Sequence, residues 1–179
     1  MILRALALAA GLAAQAPAAA TPPPAPAPVI PGTETPQAIV KALYDVISGA
    51  KGAPRDWVRF KALGIPDAHL VATHTLPTGV TRVRVLTMDQ YVEGATKGFA
   101  NEGFFETGAV SDVHVYDRIA TVVSPYESRH APGEAPFARG VNHVQLVNDG
   151  RRWFVVDIFW EDETPQAPLP PALANQLKH

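Results

Sequence analysis

Apolar positions alternate and then crowd together between Phe137 and Glu163, reading FARGVNHVQLVNDGRRWFVVDIFWEDE. Val141, Val144, Leu146 and Val147 precede Asn148-Asp149-Gly150, and a run from Trp153 to Trp160 that is almost all β-branched or aromatic follows. Such side chains suit a half-buried pleated surface, and a glycine supplies the positive φ of a tight reversal, so the pattern predicts a hairpin. Register decides what its polar residues do. A two-residue loop would pair His143 with Val156; a three-residue loop with a glycine bulge pairs Val147 with Arg151, Asn142 with Val156 and Val144 with Phe154. The second is preferred, because Val144, Leu146, Phe154, Val156, Ile158 and Trp160 then share one face, with Asn142 set among them. Trp153, Val155 and Phe159 fall on the opposite face. An amide on an apolar face is hydrogen-bonded structure or a ligand contact.

Helical periodicity dominates upstream. Thr35-Pro36 has the form of an N-cap and first helical turn, and Ile39, Val40, Leu43, Val46 and Ile47 repeat at helical spacing as far as Gly49. Tyr44 lies on that apolar stripe. A shorter helix opens at Pro54, presents Trp57 and Phe60 on one side, and closes near Gly64. Ala68–Thr75 and Val80–Leu86 read as strands joined through Pro77-Thr78-Gly79. Thr87 to Gln90 has capping-box spacing, and Tyr91, Ala95 and Phe99 give the third helix one apolar stripe. Four extended segments follow: Phe104–Tyr116, Ile119–His130, Phe137–Val147 and Arg152–Glu161. Helices followed by a long meander predict an α+β domain over residues 35–163, about three helices packing on one face of a curved antiparallel sheet.

The ends have a different character. Arg4, the apolar run Ala5–Ala14 and the small residues around Ala16 and Ala20 have the layout of a secretory signal peptide, with cleavage expected after Ala20. The run is too short for stable membrane insertion, so a secreted or periplasmic location is expected. Residues 21–34 read as a Pro-rich linker and residues 164–179 as a disordered Pro-rich tail.

The 179 residues carry a net charge of −2 and no basic run, which removes the electrostatic footprint of a nucleic-acid binder. There is no Cys, hence no disulfide, thiolate ligand or cysteine nucleophile. His69, His74, His114, His130, His143 and His179 show no paired metal-ligand spacing, and no Gly-rich phosphate loop or nucleophile elbow occurs. No cofactor and no metal are expected. Strand charges at Glu106, Glu127, Arg129 and Arg139 read either as substrate clamps or as cross-strand ion pairs, Glu127 opposite Arg139.

From Pro36 to Glu163 the element order resembles the nuclear transport factor 2-like, or SnoaL-like, superfamily of cone-shaped α+β domains. So do Phe105-Glu106, Ser124-Pro125-Tyr126-Glu127-Ser128-Arg129, Arg139-Gly140-Val141-Asn142, Gln145-Leu146-Val147 and Trp153 to Trp160. The likeness is greatest to the exported bacterial branch of uncharacterised members. Helices on the concave face of the cone, a ligand pocket between helices and sheet, and a homodimer through the outer sheet face are what the resemblance implies. Its ketosteroid isomerases offer a chemical template: a Tyr from the first helix, a base after the first strand, and a donor before the last hairpin. These fall near Tyr44, near His74 and at Asn142. Asn142-His143-Val144-Gln145-Leu146 stands where the isomerases have Asp-His-Phe-Arg-Phe. An Asn donates to an oxyanion but is not an acid, and a His titrates near neutrality.

Two readings follow. In the first, the chain is an exported small-molecule-binding domain, capable of the general acid–base chemistry of a cofactor-free lyase or isomerase. His74, Tyr44 and Asn142 would then be catalytic, with Trp160, Tyr126, Glu106, Ile158 and Val144 contacting the ligand. In the second it is a non-catalytic interaction or dimerisation module. Composition does not separate them; a pocket of a few hundred Å³ with convergent polar groups favours the first.

Overall fold

The computed structural model describes residues 30–76 and 78–178. The expected signal peptide and residues 21–29 of the expected linker lie outside the described residues. The rest of that linker belongs to the domain: Thr33 is fully buried, its hydroxyl donates to the Ile30 carbonyl at 2.7 Å, and its carbonyl accepts from the Trp153 amide at 2.9 Å. Among the described residues no helix is long and apolar enough to cross a membrane.

Helix α1 (Pro36–Ile47) starts where Thr35 accepts from the Ala38 amide, and it buries Ile39, Val40, Leu43, Tyr44, Val46 and Ile47. Helix α2 (Trp57–Leu63) is capped by Asp56, not opened by Pro54, and buries Phe60 and Leu63. Helix α3 (Met88–Phe99) begins with a complete capping box: Thr87 accepts from the Gln90 amide and the Gln90 side chain accepts from the Thr87 amide. Met88 is the one buried residue of α3; most of the helix faces either the interior cavity or water.

The strands are β1 (Gly64–Thr75), β2 (Thr81–Thr87), β3 (Phe105–Gly108), β4 (Asp112–Tyr116), β5 (Ile119–Arg129), β6 (Ala138–Asn148) and β7 (Trp153–Asp162). They form one sheet in the order β2-β1-β7-β6-β5-β3, with β4 also paired to β5. The segment expected as one strand over Phe104–Tyr116 is thus two strands lying end to end along β5. One neighbour pair, β1 and β7, is parallel, so the sheet is mixed and not wholly antiparallel. Helices α1, α2 and α3 cover one face, in keeping with the expected α+β class.

The hairpin has another register. Asn148 pairs with Trp153, Val147 with Phe154 and Leu146 with Val155, around a four-residue loop from Asp149 to Arg152. The Asp149 carboxylate accepts from the Arg151 and Arg152 amides and so fixes that loop. A β-bulge at Val156 then advances the register, and Gln145 pairs with Asp157, Val144 with Ile158 and Asn142 with Trp160. Inward positions are therefore odd before the bulge and even after it. Trp153 and Val155 are core, 7% and 0% exposed, and only Phe159 of the expected outer trio faces outward, at 45%.

The segment after Thr164, expected to wander, folds back. Pro171–Ala174 forms a short helix α4, a 3-10 turn follows at Asn175–Leu177, and Gln176 accepts from the Ser111 hydroxyl at 3.0 Å.

Candidate functional site

Strand alternation sends every second residue to the helix-covered face, and the register of β5, β6 and β7 arranges these inner residues in rows. One row is apolar: Val122, Val144 and Ile158. The next is Ser124, Asn142 and Trp160, and the next Tyr126, Gly140 and Asp162. The inner face thus grows polar toward one end of the sheet. Between that end and the helices lies a cavity of about 390 Å³, walled by Leu43, Tyr91, Phe99, Phe104 and Trp160 among others. Its volume and mixed lining suit a small organic ligand.

The polar groups form one connected set. The Tyr44 and Ser124 hydroxyls share a hydrogen bond of 2.6 Å, and Asn142 Nδ2 donates to Tyr44 Oη at 3.1 Å. Asn142 Nδ2 also lies 3.5 Å from Glu106 Oε1, and the Ser128 hydroxyl donates to Glu106 Oε2 at 2.8 Å. Tyr126 donates to Asp162. Two glycines make the room. A Cβ on Gly108 would lie 2.6 Å from Tyr44 Oη, and one on Gly140 would lie 2.5 Å from Tyr126 Oη and 2.2 Å from the Glu161 carbonyl. Gly140 leaves the space across β6 through which Tyr126 reaches Asp162.

Enclosure sets the protonation. Desolvation pushes the Glu106 carboxyl up to about 7; bonds from Ser128 and Asn142 oppose the rise, and the Asp162 charge adds to it. Tyr44, Tyr91 and Tyr126 are raised as well, chiefly by burial, and remain neutral phenols. An enclosed carboxyl that titrates near neutrality, beside a phenol and an amide, can give or take a proton and can hydrogen-bond a polar ligand atom. Among the described residues no group of three His, Asp or Glu is placed to hold a metal.

Of the residues singled out in the sequence, Tyr44, Asn142, Trp160, Tyr126, Glu106, Ile158 and Val144 all line this cavity. His74 does not join them. It shares the face of Leu70 and Ala72, but sits exposed near the free end of the β1–β2 hairpin opposite Arg82, one row beyond the Ala72–Arg84 pair that reaches the cavity. The hairpin runs on past the lining, so the base expected at His74 lies away from the cavity, and Glu106 is the enclosed carboxyl that lines it. Ser124, Ser128 and Asp162 were missed as site residues; their signal was the period-two polarity of β5 and the inward parity of β7. Glu127 faces Arg139 across β5 and β6 at 3.8 Å and also pairs with Arg129, while Arg139 lies 3.3 Å from Glu163. Those charges pair with one another across β5 and β6 and along β5, and are not clamps on the cavity.

Neither a family model nor a curated protein matches the sequence. Solved structures do. The chain is similar to an NTF-2-like protein of unknown function from Silicibacter pomeroyi, with 16% identity over 70% of this chain and 91% of that one, TM-score 0.51. It is similar to a putative calcium/calmodulin-dependent protein kinase type II association domain from Thiobacillus denitrificans, with 15% identity over 75% and 100%, TM-score 0.55. An NTF2-like protein with a cystatin-like fold from Novosphingobium aromaticivorans aligns at 11% identity over 80% and 86%, TM-score 0.54. At such identities the likeness speaks for the architecture, and the protein has the nuclear transport factor 2-like, cystatin-like α+β fold.

Proposed function

We propose that the chain is an exported small-molecule-binding domain whose cavity supports general acid–base chemistry, with Glu106 as the proton-transfer group and Tyr44 and Asn142 as hydrogen-bond donors. One observation carries this reading: an enclosed carboxyl, held by Ser128 and Asn142, faces a cavity of about 390 Å³. A carboxyl titrating near 7 suits either direction of proton transfer at neutral pH, which is the requirement for a lyase or isomerase without a cofactor. Export is supported by the N-terminal order of charge, apolar run and small residues.

The test is thermal-shift screening of the mature chain against an extract of small metabolites, followed by native mass spectrometry of any hit. Wild type is expected to gain ligand-dependent stability that Glu106→Gln and Asn142→Ala lose while keeping the wild-type circular dichroism. Absence of any stabilising metabolite would overturn the ligand-binding reading.

A second reading, homodimerisation through the outer sheet face, is favoured by exposed apolar residues there. Val83 and Val85 are 60% and 59% exposed and Phe159 45%, with the buried Val71 lying between Val85 and Phe159 in the register. Light scattering should find a dimer at micromolar concentration; a monomer at high micromolar concentration would remove the reading.

A further inference from the structure

We infer that the cavity receives a small organic cation, an ammonium group seated by the Glu106 and Asp162 carboxyls and faced by aromatic rings. This rests on the ligand-binding reading above and names the class of ligand. Both carboxyls line the cavity, Glu106 from β3 and Asp162 from β7. Other carboxylates pair with cations, as at Asp45, Asp89, Glu93, Glu127 and Glu163, or, like Glu34, Asp56, Asp67, Glu134 and Glu161, lie exposed to water. Among the described residues Glu106 and Asp162 have no such partner; they accept only from neutral donors, Ser128 and Asn142 on one side and Tyr126 on the other. Two carboxyls near one another inside a desolvated space repel when ionised, and a cation between them offsets both the repulsion and the lost hydration.

The walls supply the second half of the argument. Phe99 stacks on Phe104 at 4.8 Å between ring centres, and Phe104 meets Phe137 at 6.2 Å, so an aromatic wall runs from α3 to the start of β6. Tyr91 and Trp160 add further rings to the lining. The faces of such rings attract cations, most strongly where water is excluded; the Arg55 guanidinium already lies over Phe99 at 4.9 Å, which leaves Phe104, Tyr91 and Trp160 to face a ligand. Arg84 also lines the cavity, but from exposed β2, the opposite edge of the sheet from β3. An aromatic chamber with unpaired carboxyls recognises a positively charged head group.

Proton linkage provides a signature. The groups facing Glu106 are Tyr44 of α1, Tyr91 of α3, Tyr126 and Ser128 of β5, Asn142 of β6 and Asp162 of β7; outside this set, Arg84 lies across the cavity and His130 stacks on Phe137. A bound cation favours the ionised carboxyl, so binding below neutral pH releases a proton from Glu106.

The experiment titrates the mature protein with benzyltrimethylammonium, its uncharged carbon isostere neopentylbenzene, and phenylpropionate, by thermal shift and calorimetry in two buffers of different ionisation enthalpy. The ammonium is expected to bind about tenfold or more tightly than the isostere, to tighten as pH rises from 5.5 to 8, and to release a proton at the lower pH. Glu106→Gln should abolish the preference and the proton release. Asp162→Asn should weaken the preference and serves as the variant should Glu106→Gln fail to fold. Equal or tighter binding of the neutral or anionic probe would overturn the inference while leaving a binding cavity in place. No binding by any of the three would overturn it too, and the extract screen then decides the binding reading by itself.

Discussion

Desolvation lifts the Glu106 carboxyl from an ordinary 4.5 to about 7, and that displacement has a thermodynamic sign. Between those two values the folded chain holds a proton that the unfolded chain has released. Stability from this group is therefore fully present below about 4.5, falls as pH rises, and is lost above about 7. The loss should be on the order of 3 kcal/mol. Denaturant melts of wild type should weaken between pH 5 and pH 8 more than those of Glu106→Gln, and parallel pH profiles would show that the carboxyl is not held neutral by the fold. Much of this site could be read before the fold was known, since Asn142 inside an apolar run and Tyr44 on an apolar helix stripe both stand out in the sequence. His74 could not be placed correctly, because nothing in a local pattern says how far a hairpin runs beyond a cavity. Ser124 and Ser128 escaped notice as site residues because their importance comes from Tyr44 and Glu106, which lie on α1 and β3.

Helix α3 depends on its ends more than α1 does. It buries Met88 and packs Tyr91 and Val92 only partly against the core, whereas α1 buries two thirds of its length, so packing stabilises α3 less and capping counts for more. Thr87→Ala removes the bond to the Gln90 amide and should destabilise by about 1 kcal/mol. Hydrogen exchange should quicken across α3 with little change in α1; uniform quickening in both would mean that the two helices open as one unit. Because α3 supplies Tyr91 and Phe99 to the cavity wall, the same variant should weaken retention of any ligand. Elements in this chain were legible wherever a cap or a period announced them, as at Thr35 and Thr87. The hairpin register was not legible. Trp153 to Val156 is apolar on both faces, and a bulge within such a run leaves no break in the alternation. The extra residue, Val156, is hidden among β-branched neighbours that would serve equally on either face.

At the scale of the whole molecule, the α+β class followed from helices preceding a meander, while the strand order did not, because β1 is joined to β7 and to no strand near it in sequence except β2. That parallel pair sets residues 69–73 against residues 157–161, across almost the entire length of the domain. The entropy of closing so long a loop must be met before the contact rewards it, which makes this pairing a late event in folding. On the ribosome, α1, α2 and the β1–β2 hairpin emerge without the strand that joins them to the rest of the sheet. A chain stopped after Gly150 should accordingly lack a cooperative thermal transition and fall quickly to protease; a native-like melt from that fragment would contradict the account. Until Trp153 to Asp162 is synthesised, the nascent protein has no means of joining its first hairpin to the rest of the sheet, so its earliest strands wait on its last one.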